Sequence, residues 1–582
     1  MPDFKTTPDP SETSYPGGVP YIIGNEGCER FSFYGMKSIL QVHITALFVA
    51  QAVQQDLSGH DPEQRAQELV HLFVAGVYAF PMLGAIISDR LLGKYHTILW
   101  LSLVYCLGHF VLSIAENSIQ GMSIGLALIA VGSGGIKPCV SAHVGDQFGK
   151  GNWYLVERVF QAFYFVINFG SFFATLLIPY IRHWERENLN WSFNFAGYEF
   201  STSIAFGLPG LLMLIATLSF WMGRHTFVHV PAKPGGRLGL LDTASSSLLF
   251  LGLVALPMFF GEWQSRSTIG FWTITLGSVV TGLLLFLLRQ RIQEDDGFLA
   301  VLLHAALSWF GGQSAAAQRQ ADVNVTRDSI RRHWFFSASA HKFGDEIATG
   351  TMAVLRILSI FLLVSMFWAL FDQHASSWVR QAQRMELEVG LPGYRWSLLP
   401  SQISALNPLM VMVLIPLNNF FFYPWINKYC LTLTPLRKMT LGMFAASVAF
   451  VTVALLQTWM DKVALDNGTT SGKISVLWQF FPYLIITQSE VMVSITGLEF
   501  AYTQAPRRMK STIMGFWLLS VALGNKLVAV VSRDTTMELA QFFWLFAGLM
   551  ALAAILFGIR ASVYRYHAFT QDEDGDIVSR TS

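Results

Sequence analysis

Apolar residues run in long unbroken stretches that recur almost from end to end of the chain, rather than alternating or marking one face of a helix. About twenty consecutive apolar residues cross the hydrocarbon core of a bilayer as a helix. On that measure the pattern predicts fourteen crossings: 20–50, 69–93, 96–115, 122–146, 157–182, 202–223, 243–263, 270–290, 351–385, 399–426, 439–460, 477–503, 511–532 and 539–561. The predicted fold class is an all-α polytopic membrane protein.

The pattern breaks in three places. Segment 291–350 is polar and contains RQRIQEDD and RDSIRRH. It is predicted to be a surface linker with one or two amphipathic helices, because His304 to Phe310 is too short an apolar stretch to span. Residues 1–19 are polar and proline-rich, without the basic start and apolar core of a signal peptide, and read as a flexible tail; residues 562–582 read as another. The pair of crossings at 243–290 has almost no charge and looks like an insertion between two sets of six, 20–223 and 351–561, which hold the buried ionisable residues. Two six-helix bundles around a central cavity form the major facilitator fold, and the inserted helices are expected outside its working core.

Composition agrees. Of 582 residues, 53% are hydrophobic and 13% charged, against about 25% charged in a soluble protein. Mean hydropathy is +0.44. A net charge of +1 offers no footing for a nucleic-acid partner. Cys28, Cys106, Cys139 and Cys430 show no metal-ligand spacing, and disulfides are not expected. Charge also orients the chain. DRLLGKYH, GRHTFVHVPAKPGGR, the 291–350 linker, PLRK at 435–438 and APRRMK at 505–510 are basic and fall on one side, while QQDLSGHDPEQRAQE and MDKVALDNGTTSGK carry little net positive charge. The positive-inside rule then puts both termini in the cytoplasm, in a cell (inner) membrane.

The ionisable residues within these crossings carry the chemistry, because such groups are costly in a bilayer and face a protein interior or a water path. Glu26, Glu29 and Arg30 share one face of the first crossing. They fit either a structural ion pair or a site that binds and releases a proton. Lys37 in the first crossing, His71 in the second and Asp372 with His374 in the ninth lie at similar depth toward the outer side. A Lys37–Asp372 pair bridging the two halves is expected to close an outer mouth, with His71 beside it as the titrating group. In a hydrated mouth such a pair is worth about 1 kcal/mol. Lys137 stands beside Pro138 among the glycines of the fourth crossing; Tyr164 and Asn168 share a face of the fifth, Arg356 begins the ninth, and Glu490 and Ser494 share a face of the twelfth. Arg30 and Lys137 in one half and Glu490 in the other can hold the two ends of a zwitterion.

These stretches resemble the proton-dependent oligopeptide transporter family. The resemblance rests on E-x-x-E-R-F at Glu26 to Phe31 with Phe33-Tyr34-Gly35-Met36, GAIISDRLLGKYHTI at 84–98, FYFVINFGS at 163–171, FWALFDQ at 367–373 and GLEFAYTQAPRRMKS at 497–511. It implies that Glu26, Glu29 and Arg30 couple protons, with His71, Asp372 and Glu490 as further titrating groups. It implies that Arg30 and Lys137 face a peptide carboxylate and Glu490 its amine. Tyr164 and Asn168 would hold the backbone, and Tyr34, Tyr78, Trp378, Ser494 and Trp517 would line the binding space. Lys37, His71, Arg356, Asp372 and His374 would form gates. The chain departs from the family at Lys37, where arginine is common, and at Phe33, where tyrosine is frequent. Asn419 stands where animal members have an aspartate, which leaves Arg356 without the carboxylate expected there.

The resulting expectation is a proton-coupled symporter that imports di- and tripeptides by alternating access, with protons as coupling ion, no cofactor and the lipid bilayer as its medium. A carrier of another small anion or amino acid, and a peptide sensor that does not transport, are the alternatives. An intramembrane hydrolase is disfavoured, since H-E-x-x-H does not occur.

Overall fold

The computed structural model describes residues 4–55, 61–188, 193–195, 198–200, 202–260, 267–295, 297–320, 329–391, 394–466, 474–504, 510–534, 537–564, 568–569 and 579–580. Loop 505–509, the second half of MDKVALDNGTTSGK, part of QQDLSGHDPEQRAQE, and 321–328 of the linker lie outside them.

Among the described residues, fourteen helices are long and apolar enough to cross a membrane. The first six are α1 (Val19–Ala52), α2 (Pro62–Leu92), α3 (Lys94–Ile114), α4 (Ile119–Asp146), α5 (Arg158–Trp184) and α6 (Ser203–His225). An inserted pair follows, α7 (Gly236–Phe259) and α8 (Thr268–Ile292). The last six are α9 (Asp345–Ala382), α10 (Pro400–Tyr429), α11 (Pro435–Asp466), α12 (Val476–Ala501), α13 (Ile513–Arg533) and α14 (Leu539–Ser562). An even number of crossings returns both ends of the array to one side, here the terminal face; the other is the distal face. The second crossing begins seven residues before the predicted one. Asp61 caps it by accepting from the Glu63 amide at 3.0 Å, and Pro62 sits at its first position, so polar residues that read as loop are helical.

Each six-helix set has its own core. Phe33, Leu40, Phe73, Tyr105, Ile129, Phe206 and Phe220 belong to the first; Phe361, Phe367, Trp378, Phe450, Tyr483 and Phe546 belong to the second. Small residues set the helix spacing, as expected where lipid supplies no hydrophobic drive to associate. A Cβ on Gly132 of α4 would lie 2.6 Å from the Tyr105 amide of α3, so only glycine admits that approach. α12 opens into a π-helical turn at Val491–Ile495, directly after Glu490. Such turns are frequent at functional sites.

The inserted pair packs against both halves. Phe250 and Met258 of α7 pack with Ala75 and Ala79 of α2 and Ala522 of α13. Arg289 of α8 pairs with Asp242 of α7 at 2.7 Å, and Arg90 of α2 reaches Asp242 and Asp295 at 3.5 Å each. These charges sit at helix ends, where an apolar-run count does not register them. The N-terminal tail is pinned rather than free. The His229 amide donates to Lys5 O at 2.7 Å and the Phe4 ring lies 4.3 Å from the His229 ring. Asn152 and Tyr154 donate to Ser14 O and Thr13 O, each at 3.0 Å. The tail backbone runs directly over Gly151, where a Cβ would sit 2.6 Å from Glu12 O.

In the linker, helices Phe298–Phe310, Gln313–Gln320 and Ser337–Phe343 pack together around Ala305, Phe336 and Ala340. A short hairpin, Glu388–Leu391 with Tyr394–Ser397, follows α9 on the distal side.

Candidate functional site

The first cluster lies in the first third of α1. Arg30 Nε donates to Glu26 Oε1 at 2.7 Å and stands 3.4 Å from Glu29 Oε2. Lys137 of α4 reaches Glu29 Oε1 at 3.4 Å, and its ammonium lies 4.5 Å from the centre of the Phe33 ring and 5.5 Å from that of Tyr78. Helical spacing aims both glutamates and the arginine at one point, and the Pro138 region brings the lysine to it. Glu26 is 1% and Glu29 0% exposed, so both carboxylates are shielded from solvent. One oxygen of Glu26, both oxygens of Glu29 and the Lys137 nitrogen make no hydrogen bond among the described residues. Two acids and two bases are thus held loosely, with acceptor capacity to spare. A proton on either acid removes a partner from a base.

The second cluster joins the two halves toward the distal side. Lys37 Nζ donates to Asp372 Oδ1 at 2.7 Å, and Asn525 of α13 donates to Asp372 Oδ2 at 2.7 Å. Asn525 Nδ2 also donates to Val521 O, so its oxygen is left to accept, and His71 Nδ1 donates to it at 2.7 Å. The neutral ring then accepts from Ser376 Oγ at its Nε2, at 2.8 Å. Asp372 and His71 are therefore joined through Asn525 rather than in contact. A proton on Nε2 turns that nitrogen from acceptor to donor and places a positive charge beside the ion pair. His374 packs tilted against Phe371, and its Nδ1 donates to Phe371 O at 2.6 Å. A further pairing spans the halves at the distal rim, where Arg380 of α9 pairs with Glu63 and with Asp61 at the start of α2. The Lys37 and Asp372 side chains are 6% and 5% exposed. The expectation of a weak, hydrated pair is corrected: removing one partner of a buried pair costs about 3–5 kcal/mol.

Beside the second cluster lies a cavity lined by Tyr34, Lys37, Ser171, Thr175, His374 and Asn407, among others. On its second-half side Asn407 of α10 donates to Glu490 Oε2 at 2.7 Å and to Thr487 Oγ1 at 3.2 Å. In α5 Asn168 donates to Tyr164 O at 3.0 Å, and Tyr164 is 39% exposed.

Not every expected residue comes to this space. Trp378 is fully buried in the second core, 5.0 Å from the Tyr483 ring and 5.7 Å from Phe450, and a place on the cavity wall is not what it has. Trp517 is 4% exposed and packs edge-on to Phe361 and Trp368. Ser494 lies within the π-helical turn, one turn beyond Glu490. Arg356 reaches only the Met352 sulfur, at 3.5 Å, and has no carboxylate partner among the described residues. Asn419 is exposed, and the neighbouring Asn418 exchanges hydrogen bonds with Gln488 instead. Asn525, Ser376, Asn407 and Arg380 carry the site without having stood out in the sequence.

Comparison with known proteins places this geometry. The sequence signature of the POT family matches residues 95–237 and 298–545. Human "Solute carrier family 15 member 2" is 30% identical over 503 residues, 85% of this chain, which spans 55% of that protein. "Peptide transporter family 1" of Drosophila melanogaster is 26% identical, with 97% of this chain and 90% of that protein covered. Among solved structures, an auto-inhibited POT family peptide transporter superposes with a TM-score of 0.71 at 33% identity, covering 96% of this chain and 99% of the other. The POT family transporter PepTSo gives 0.70 at 36% identity, covering 94% and 98%. Family signature, whole-length superposition and charged clusters agree: the chain belongs to the POT family of proton-dependent oligopeptide transporters.

Proposed function

We propose that this protein is a proton-coupled symporter that imports di- and tripeptides by alternating access; it is a carrier and not an enzyme. The observation that carries the reading is the buried Glu26–Glu29–Arg30–Lys137 group, set in the first half of a POT family fold. In this reading the peptide carboxylate binds Arg30 and Lys137. Those bases are engaged by Glu29 and Glu26, so peptide and glutamate compete. Protonating one glutamate removes the competitor, which makes proton and carboxylate bind with positive coupling. The peptide amine binds Glu490, whose carboxylate Asn407 orients; Tyr34 lines the cavity, and in this reading Tyr78, Tyr164 and Asn168 also contact the peptide. Opening the distal mouth requires parting Lys37 from Asp372 and Arg380 from Glu63. Protonated His71 favours that parting, so protons enter from the distal side.

The basic loops support a cytoplasmic terminal face and hence both termini inside a cell membrane, with lipid around the fourteen helices. Protons are the coupling ion and no cofactor enters. The test is uptake of a labelled dipeptide into proteoliposomes with and without an imposed pH gradient. Accumulation above equilibrium only with the distal side acidic supports the reading, and uptake indifferent to the gradient overturns it.

A further inference from the structure

The distal end of α9 is a separate piece. Ser376 has φ −132° and ψ −86°, outside the helical region, so the short helix Ser377–Ala382 takes its orientation from its own contacts rather than from the rest of α9. Those contacts face two ways. Trp378 and Gln381, three residues apart, share the face turned into the second core, and both are 0% exposed. Arg380 is rotated about 100° from Gln381 and about 160° from Trp378. It points across to the first half, where its Nη2 donates to Asp61 Oδ2 at 2.6 Å and its Nε donates to Glu63.

Behind the piece runs a chain of side-chain amides. Gln479 of α12 donates to Gln381 Oε1 at 2.9 Å and to Trp378 O at 3.0 Å. Gln381 donates to Gln457 Oε1 of α11 at 3.0 Å and to Val453 O at 3.3 Å. Gln457 donates to Asp461 Oδ1 at 2.7 Å. A carboxylate only accepts, so Asp461 decides which end of Gln457 faces it, Gln457 then decides the orientation of Gln381, and Gln381 that of Gln479. The three glutamines are at most 1% exposed. Buried amides serve as glue between membrane helices, but apolar side chains would join α9, α11 and α12 without burying three of them. What apolar packing does not supply is direction. Trp378 sits against Tyr483 and Phe450 by shape, whereas hydrogen bonds on both sides of Gln381 fix the roll of the helix about its axis.

We propose that Gln381 is a positioning residue of the distal gate: the Gln479–Gln381–Gln457–Asp461 chain sets the roll of Ser377–Ala382 and so aims Arg380 at Asp61 and Glu63. It rests on the reading that parting Arg380 from Glu63 opens the distal mouth. The chain belongs wholly to the second half, on α9, α11 and α12, and the carboxylates that Arg380 meets belong to the first. Gln381 therefore acts on the contact between the halves without touching the first half itself.

The test is a double-mutant cycle read as the distance between spin labels at Ala50 and Leu465, exposed positions at the distal ends of α1 and α11. Arg380→Ala and Gln381→Leu are each expected to shift that distance to longer values. The two together are expected to shift it no further than Arg380→Ala alone, because a misaimed arginine has nothing left to lose. Gln457→Met breaks the same chain from α11, leaves α9 unaltered, and is expected to reproduce the Gln381→Leu result, which also covers a Gln381→Leu protein that does not fold. Additive shifts in the double variant overturn the proposal. So does a wild-type distance in Gln381→Leu or Gln457→Met, including one accompanied by a lower melting temperature, which marks the amides as packing alone. An Arg380→Ala protein with unmoved distances instead overturns the gate contact on which the proposal stands.

Discussion

Asp372 shows how much depends on single side chains. Both of its oxygens are engaged, one by Lys37 and one by Asn525, in a space almost closed to water. Lys37→Ala leaves a buried carboxylate short of its counter-charge, at a cost of about 3–5 kcal/mol to the distal-closed state. Distance distributions between labels at the distal ends of α1 and α9 are expected to shift to longer separations in Lys37→Ala and in Asp372→Asn. The swap Lys37→Asp with Asp372→Lys is expected to recover the shorter distance, and a distribution unmoved by either single change contradicts the gate. A second residue-level expectation concerns Glu490 and its Asn407 donor. Glu490→Gln should weaken peptides with a free amino end by about 2–5 kcal/mol and amino-blocked peptides far less; Lys137→Ala should show the converse for the carboxyl end. Equal losses for blocked and free peptides in both variants rule out the clamp. The charged members of these groups were legible in the sequence because a lone charge in an apolar run demands a partner, and depth along a helix limits which one. Asn525, Ser376 and Asn407 were not, since an uncharged polar side chain in a membrane helix satisfies itself in many ways and looks alike at every position. Trp378 misled for the opposite reason: an aromatic side chain serves a pocket wall and a packed core equally well.

At the scale of elements, the apolar runs foretold all fourteen spans, and the ends differ where capping rather than hydropathy decides. Pro62 and Asp61 begin α2 inside a polar stretch. The tail 4–18 was unreadable for a related reason: what pins it is a distant loop in which glycine allows close approach. Gly151→Val is expected to push the tail off that loop and speed its cleavage by protease, with unchanged cleavage contradicting the seat. The same seat responds to pH. Burial lowers the pKa of His229 below its ordinary 6.5, and His96 and His225 nearby add to the shift. A histidine whose pKa falls on docking stabilises the docked form above its free pKa, and that contribution disappears as pH falls. Cleavage of the tail is therefore expected to accelerate as pH drops from about 7 to about 5, and a flat or inverse profile excludes His229 as the responsive group.

For the whole molecule, two bundles with separate cores meet through charged contacts at the distal side and through a cavity between them. That division lets each half move as a unit while its own packing is kept, which is what alternating access requires. The inserted pair, fitted by Phe250 and Met258 against α2 and α13, touches both halves, so it is expected to follow the motion rather than stand apart from it. The central claim is that movement of the halves is driven by protons held at Glu26 and Glu29. The most direct measurement is dipeptide accumulation in proteoliposomes, with and without a pH gradient, for the wild-type protein and for Glu26→Gln and Glu29→Gln. Gradient-driven accumulation in the wild type, its loss in both variants and survival of counterflow are the predicted results. Full concentrative uptake in both variants would contradict the account.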